Sequence, residues 1–149
     1  MKAIHISQLL RWADRILTAC FVLAFLLVSA LSLKASPLHF GRLVAFSAIA
    51  FLLVTLLRHF FAKKRPYQSK DGIAPRRGEN DSFPSRHAFS AFFIAMLAFS
   101  VKPLFGYSLL PFAILLSAIR VFRGIHYPID VVAGGFLGAL SGTVCLVLI

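Results

Sequence analysis

Acidic residues are scarce in this chain of 149, five against sixteen lysines and arginines, and charge of either sign makes up only 14% of it. Apolar residues take 59%, far from the balance of an ordinary soluble domain. Cysteine is nearly absent. Cys20 and Cys145 both fall inside apolar stretches, with no spacing that would hold zinc or frame a disulfide scaffold, so both are read as small buried apolar residues. No internal repeat and no low-complexity tail is present, and nothing alternates with the period of a membrane barrel strand.

What is present is apolar sequence in long blocks. A helix needs about 20 mostly apolar residues to cross the hydrocarbon core, and five blocks approach that, at residues 16–33, 38–62, 88–104, 107–122 and 129–149. Only helices or closed barrels satisfy the backbone in lipid. The expected fold is therefore all-α, a polytopic membrane bundle of about five transmembrane helices forming one domain over residues 1–149. The fourth block is short and would rely on tilt or on shelter by its neighbours. Residues 16–33 exceed a signal-peptide core, and Leu31-Ser32-Leu33 is a poor cleavage site, so the segment is read as retained. Residues 1–15, with Ile4, Ile6, Leu9 and Leu10 among Lys2, Arg11 and Arg15, suit a short interfacial helix.

The polar residues are distributed unevenly. Residues 63–82 are the one long polar stretch, punctuated by Pro66, Gly72, Pro75 and Gly78, and read as an irregular loop. Ser36-Pro37 suits the N-cap and first turn of the second helix. Five crossings put the N-terminus, this loop and residues 123–128 on one membrane face. Lys63, Lys64, Arg65, Lys70, Arg76, Arg77 and Arg86 crowd it. In a soluble chain such a bias would point to nucleic acid. In a membrane chain it points to anionic headgroups or a phosphorylated substrate, and no nucleic-acid partner is expected. Gly134, Gly138 and Gly142 form a small-residue stripe on the last span, read as helix packing.

Several side chains at span ends on that face suit an anion that must be held and attacked. Guanidinium forks match phosphate oxygens, and Arg58, Arg65 and Arg120 supply them. Ser85, Arg86 and His87 open the third span, where unpaired N–H groups and the positive end of the dipole favour anions. His126 and Asp130 are four residues apart at the start of the fifth span. On nearly the same side of a helix, the carboxylate would hold one ring nitrogen and leave the other to attack. His87 would protonate the departing oxygen. His5, His39 and His59 are read as interfacial or capping residues. Asp71, Glu79 and Asp81 have no metal-ligand spacing and are read as solvated loop charges.

Order and spacing add a further argument. Arg58, six residues, Arg65-Pro66; then Pro84-Ser85-Arg86-His87; then Arg120, five residues, His126, three residues, Asp130. This resembles the three-part signature of the type 2 phosphatidic acid phosphatase superfamily, and it covers about half the chain. The resemblance implies a metal-independent and cofactor-free lipid-phosphate phosphatase. In it His126 is the nucleophile that becomes a phosphohistidine, Asp130 orients it and His87 is the general acid. Arg58, Arg65, Ser85, Arg120 and the main-chain amide of Arg86 cradle the phosphate. It also implies a substrate such as undecaprenyl pyrophosphate or phosphatidylglycerophosphate.

Three positions depart from the family pattern. Arg58 stands where lysine is usual, Arg86 where glycine is usual, and Ile119 where serine is usual. None removes the nucleophile, the acid or the carboxylate, so the departures bear on substrate choice. Many bacterial relatives carry six spans, and this chain is expected to have one fewer before the first motif. The family's catalytic face is usually extracytoplasmic, and a multi-pass protein of the plasma membrane with that orientation is expected. The lysine and arginine count pulls the same face inward. The alternatives are a lipid phosphotransferase using the same pocket and a non-catalytic binder of lipid headgroups.

Overall fold

The computed structural model describes residues 2–67 and 82–149, so Lys70, Asp71, Arg76, Arg77, Glu79 and Asp81 lie outside the described residues. Among the described residues there are five principal helices and no strand. They are α1 (Lys2–Ala35), α2 (Pro37–Phe61), α3 (Arg86–Ala98), α4 (Pro103–Phe122) and α5 (Pro128–Leu148). All except α3 are long and apolar enough to cross a membrane. Their outward faces carry bare apolar side chains such as Leu23, Leu52, Val132 and Phe136, each more than half exposed. So large an apolar surface requires lipid or a partner.

Two details differ from the sequence-based expectations. Residues 2–15 are not a separate interfacial helix but run without a break into α1, because no glycine or proline interrupts them. The third helix is not 88–104 either; it is only 13 residues long. After Ala98 the N–H groups of Phe99, Ser100 and Val101 reach back three residues to Met96, Leu97 and Ala98 at 3.0–3.2 Å, the tightening common in a last helical turn. Pro103 then forces Lys102 into an extended conformation (φ −154°, ψ 138°) and starts α4 four residues earlier than expected. A short helix is tolerable here because α3 is the centre of the bundle. Ala88, Phe89, Ala91, Phe93, Ile94, Ala95, Leu97 and Ala98 are all buried, and a helix apolar all round belongs in a core.

Ser36 is the N-cap of α2, in extended conformation and with no side-chain cap bond, so Pro37 at the first turn is what sets the corner. The closest packing in the bundle is between α3 and α5. A Cβ on Gly134 would meet the Ser85 carbonyl oxygen, on Gly138 the Phe89 carbonyl oxygen, and on Gly142 Met96 Cβ at 2.6 Å and the Phe93 carbonyl at 2.9 Å. Both helices present rows spaced by four residues, 85-89-93 against 134-138-142. Such rows interdigitate when helices pack ridge into groove. The expected packing role of the glycine stripe is therefore borne out, and it brings the start of α5 against the start of α3.

Candidate active site

Short local devices aim the polar side chains. Ala62 ends α2 in the left-handed region (φ 39°) with its N–H on the Arg58 carbonyl at 3.0 Å, and the chain turns there so that Lys63 faces α5. Ser85 caps α3, its hydroxyl accepting from the Ala88 N–H at 3.4 Å. Gly124, at φ 65°, lets the chain leave α4 after Arg123, and the N–H groups of Ile125 and His126 then return to the Arg120 carbonyl at 3.1 and 3.4 Å. That fold-back sets His126 immediately ahead of α5.

Asp130, fully buried, is the hub of the site. Its carboxylate accepts from Lys63 Nζ at 2.9 Å, from the Tyr127 N–H at 2.9 Å and from the Ser82 hydroxyl in a very short contact. Its carbonyl accepts from the Ser85 N–H at 2.9 Å, joining the starts of α3 and α5. His126 is 3% exposed. Its Nδ1 lies 3.8 Å from Asp130 Oδ2, beyond hydrogen-bond reach, and 3.5 Å from Ser82 Oγ. The expected direct bond from carboxylate to ring is thus replaced by a relay. The Ser82 hydroxyl gives its hydrogen to Asp130 and presents its oxygen to Nδ1–H, which leaves the Nε2 lone pair as the unprotonated one. His126 is held well below its ordinary value, to about 4, chiefly by burial and then by the charge of Arg65, against which Asp130 pulls upward; Arg58 and Arg120 lower it further. The imidazole is neutral at physiological pH, the state a nucleophile requires.

The other expected residues converge in part. Arg58, 3% exposed, donates from Nη1 to the Pro84 carbonyl at 3.0 Å and so braces the turn that opens α3. Arg65 is near enough to act on His126 electrostatically. His87 and Arg120 line one cavity of about 570 Å³. Arg86 turns away from this group, its guanidinium 5.9 Å from the centre of the Phe51 ring. It lines a second cavity of about 340 Å³ with His87, Thr18, Phe51 and Ile94. A third, apolar cavity of about 340 Å³ continues along Phe51, Ser90 and Ile94 to Phe25, Val44 and Phe93. The second shares wall residues with each of the other two, so the series leads from the polar face into the apolar bundle.

Sequence reasoning passed over three residues. Ser82 lies outside the motif spacing, and Lys63 reads in the sequence only as part of a basic loop. Asp14 on α1 is 6% exposed and bridges Arg120 and Arg123. It is the one acidic residue ahead of position 71, and a carboxylate within an otherwise cationic and apolar helix is costly enough to have been a signal. Among the described residues no group of three or more histidine, cysteine, aspartate or glutamate side chains is arranged to hold a metal ion.

The sequence profile of the PAP2 superfamily matches residues 39–149, a stretch holding all three motifs. The chain belongs to the PAP2 superfamily. It is 30% identical over 105 residues to the bacitracin transport permease protein BcrC of Bacillus licheniformis, covering 66% of this chain and 52% of that protein. It is 29% identical over 102 residues to the putative undecaprenyl-diphosphatase YbjG of Escherichia coli (strain K12), covering 65% and 52%. The match to each takes in about half of that relative's length. Two crystal structures share the fold. One is a transmembrane PAP2-type phosphatidylglycerolphosphate phosphatase from Bacillus subtilis, at TM-score 0.73 and 18% identity, covering 96% of this chain and 76% of that one. The other is LpxE of Aquifex aeolicus, at TM-score 0.61 and 22% identity, covering 93% of each chain. The PAP2 fold and the multi-pass membrane character expected from the apolar blocks are thereby established.

Proposed function

We propose that this chain is a membrane lipid phosphatase that removes phosphate from a lipid phosphate or pyrophosphate through a phosphohistidine at His126. The observation that carries the reading is the convergence of a buried neutral histidine, a buried carboxylate hub and several guanidinium groups at one end of the bundle. His126 Nε2 attacks phosphorus, the bond to the lipid oxygen breaks, and His87 delivers a proton to that oxygen. Water then attacks phosphorus while His87 takes its proton, the bond from phosphorus to His126 Nε2 breaks, and inorganic phosphate leaves. Asp130 steadies the imidazole through Ser82. Arg58, Arg65, Arg120, Ser85 and the Arg86 amide hold the phosphate oxygens.

The lipid part of the substrate occupies the apolar cavities beyond His87, with Arg86 over the segment that joins headgroup to chain. Undecaprenyl pyrophosphate and phosphatidylglycerophosphate are the two leading substrates, and the relatives named above act on lipids of both kinds by their names. We place the whole as one domain in the plasma membrane with the site extracytoplasmic. The test is phosphate release from a panel of lipid phosphates, in detergent with a chelator, by wild type, His126→Ala and His87→Ala. Metal-independent release that vanishes in His126→Ala is expected. Equal release by that variant would refute the phosphohistidine, and no release from any lipid phosphate by wild type would leave a headgroup binder. Transfer of the phosphoryl group to an added lipid alcohol in place of water would mark a phosphotransferase.

A further inference from the structure

The most unexpected polar contact in the bundle joins the helix that carries no motif to the one that carries Arg120. Asp14 is buried on α1 between the exposed cations Arg11 and Arg15 and exposed apolar side chains such as Ile16, Leu23 and Leu26. One carboxylate oxygen lies 2.7 Å from Arg120 Nε, an ion pair whose angle falls short of a hydrogen bond, and the other takes a very short bond from Arg123 Nη1. The same carboxylate, His87 and Arg120 line one cavity. Asp14 therefore holds one edge of a guanidinium at the position where the phosphate cradle is expected.

Two cations this close, one 12% and one 22% exposed at the side chain, would be costly without a counter-charge. With a phosphate bound they have one. Without it, Asp14 is the counter-charge that the described residues provide. We propose that Asp14 is a positioning residue that orients Arg120 from α1 and offsets the charge of the Arg120–Arg123 pair, and so limits how tightly the site retains inorganic phosphate after hydrolysis. The inference rests on the reading of Arg120 as a phosphate ligand in a lipid phosphatase. Because Asp14 pairs at Nε, the two terminal nitrogens of Arg120 are left for an anion. A fully uncompensated pair would bind product and substrate more tightly alike, which lowers KM and slows release without aiding the chemical step.

The test measures inhibition by inorganic phosphate, together with kcat, KM and thermal unfolding, for wild type, Asp14→Asn and Asp14→Glu in detergent. Loss of the charge in Asp14→Asn is expected to lower the phosphate inhibition constant about tenfold, which corresponds to about 1.4 kcal/mol, with KM and kcat both reduced. Asp14→Glu, which keeps the charge, should return all three towards wild type. The double variant Asp14→Asn/Arg123→Gln restores the local net charge and should bring the inhibition constant back to within a few-fold of wild type. It also provides the readout if Asp14→Asn alone does not fold. An unchanged inhibition constant in Asp14→Asn, or asparagine and glutamate variants equally damaged in stability and activity alike, would overturn the inference. Wild type that turns over no lipid phosphate would remove the proposed function and this inference together. Normal wild-type turnover with an unaltered inhibition constant in Asp14→Asn removes this inference alone.

Discussion

Replacing Gly138 with alanine adds one methyl group, and the structure places that group on the Phe89 carbonyl oxygen. The obstacle is helix backbone, which has no rotamer to change. Ordinary contact begins at 3.4 Å, so α5 must retreat from α3 by roughly 1 Å to restore it. Overpacking of this kind costs about 1–3 kcal/mol, or a fall in melting temperature of roughly 2–4 °C per kcal/mol for a chain of this size. The displacement also reaches the site. Asp130 lies eight residues ahead on the same helix, and its carbonyl bond from the Ser85 N–H, at 2.9 Å, crosses the same seam. A 1 Å error in such a constellation lowers the rate by about 10²-fold. Gly41→Ala is the control, since Gly41 is in the second turn of α2 with nothing within 4 Å of an added Cβ, and a small gain of helix propensity is expected there. The assay is thermal unfolding in detergent beside kcat/KM for a lipid phosphate. If Gly138→Ala melts and turns over like Gly41→Ala, the α3–α5 seam is looser than the geometry requires and the coupling of packing to the site is wrong.

Other perturbations probe the hub directly. Ser82→Ala leaves Asp130 short of one donor and His126 Nδ1 without its acceptor; a buried group so stranded costs about 1–3 kcal/mol. A loss of about tenfold or more in kcat/KM is expected, with rescue by Ser82→Thr, and an unaffected rate would dismiss the relay. The depressed value of His126, about 4, also makes a statement about pH. A histidine whose folded value lies below its unfolded value of about 6.5 is neutral at physiological pH. Its contribution to stability is intact above about 6.5 and is lost as pH falls from there towards 4. The acid limb of kcat/KM assigned to His126, after correction for ionisation of the substrate, should therefore lie near 4, and a limb near 6.5 would contradict the burial argument. Lys63→Met removes the cation that shares the Asp130 charge, at a cost of about 1–2 kcal/mol given the partial access of Lys63 to water. It should move that limb upward, which a pH–rate profile of the variant would detect.

Part of this protein is determined by local sequence. Spans follow from apolar run length, because a backbone in lipid must bond within its own helix, and four of the five expected blocks contain helices long enough to cross. The motif residues at helix ends needed only the count of helices to bring them to one end of the bundle. The start of α2 at Pro37 was readable from proline chemistry alone. The glycine stripe was readable because small residues four apart on one helix have few other uses in a membrane.

The rest was decided by contacts far apart along the chain. The partners of Asp130 at Lys63 and Ser82 lie 67 and 48 residues away, and Asp14 reaches Arg123 across 109. No local pattern encodes such pairings. Which cation a buried carboxylate takes depends on how helices are rotated against one another, and for Asp130 on α5 the close seam with α3 contributes to that rotation. The length of α3 belongs here as well. Sequence hydropathy measures how apolar a segment is, and it cannot distinguish a helix that faces lipid along its length from a shorter one enclosed by neighbours. Burial of α3 on all sides is a property of the assembled bundle.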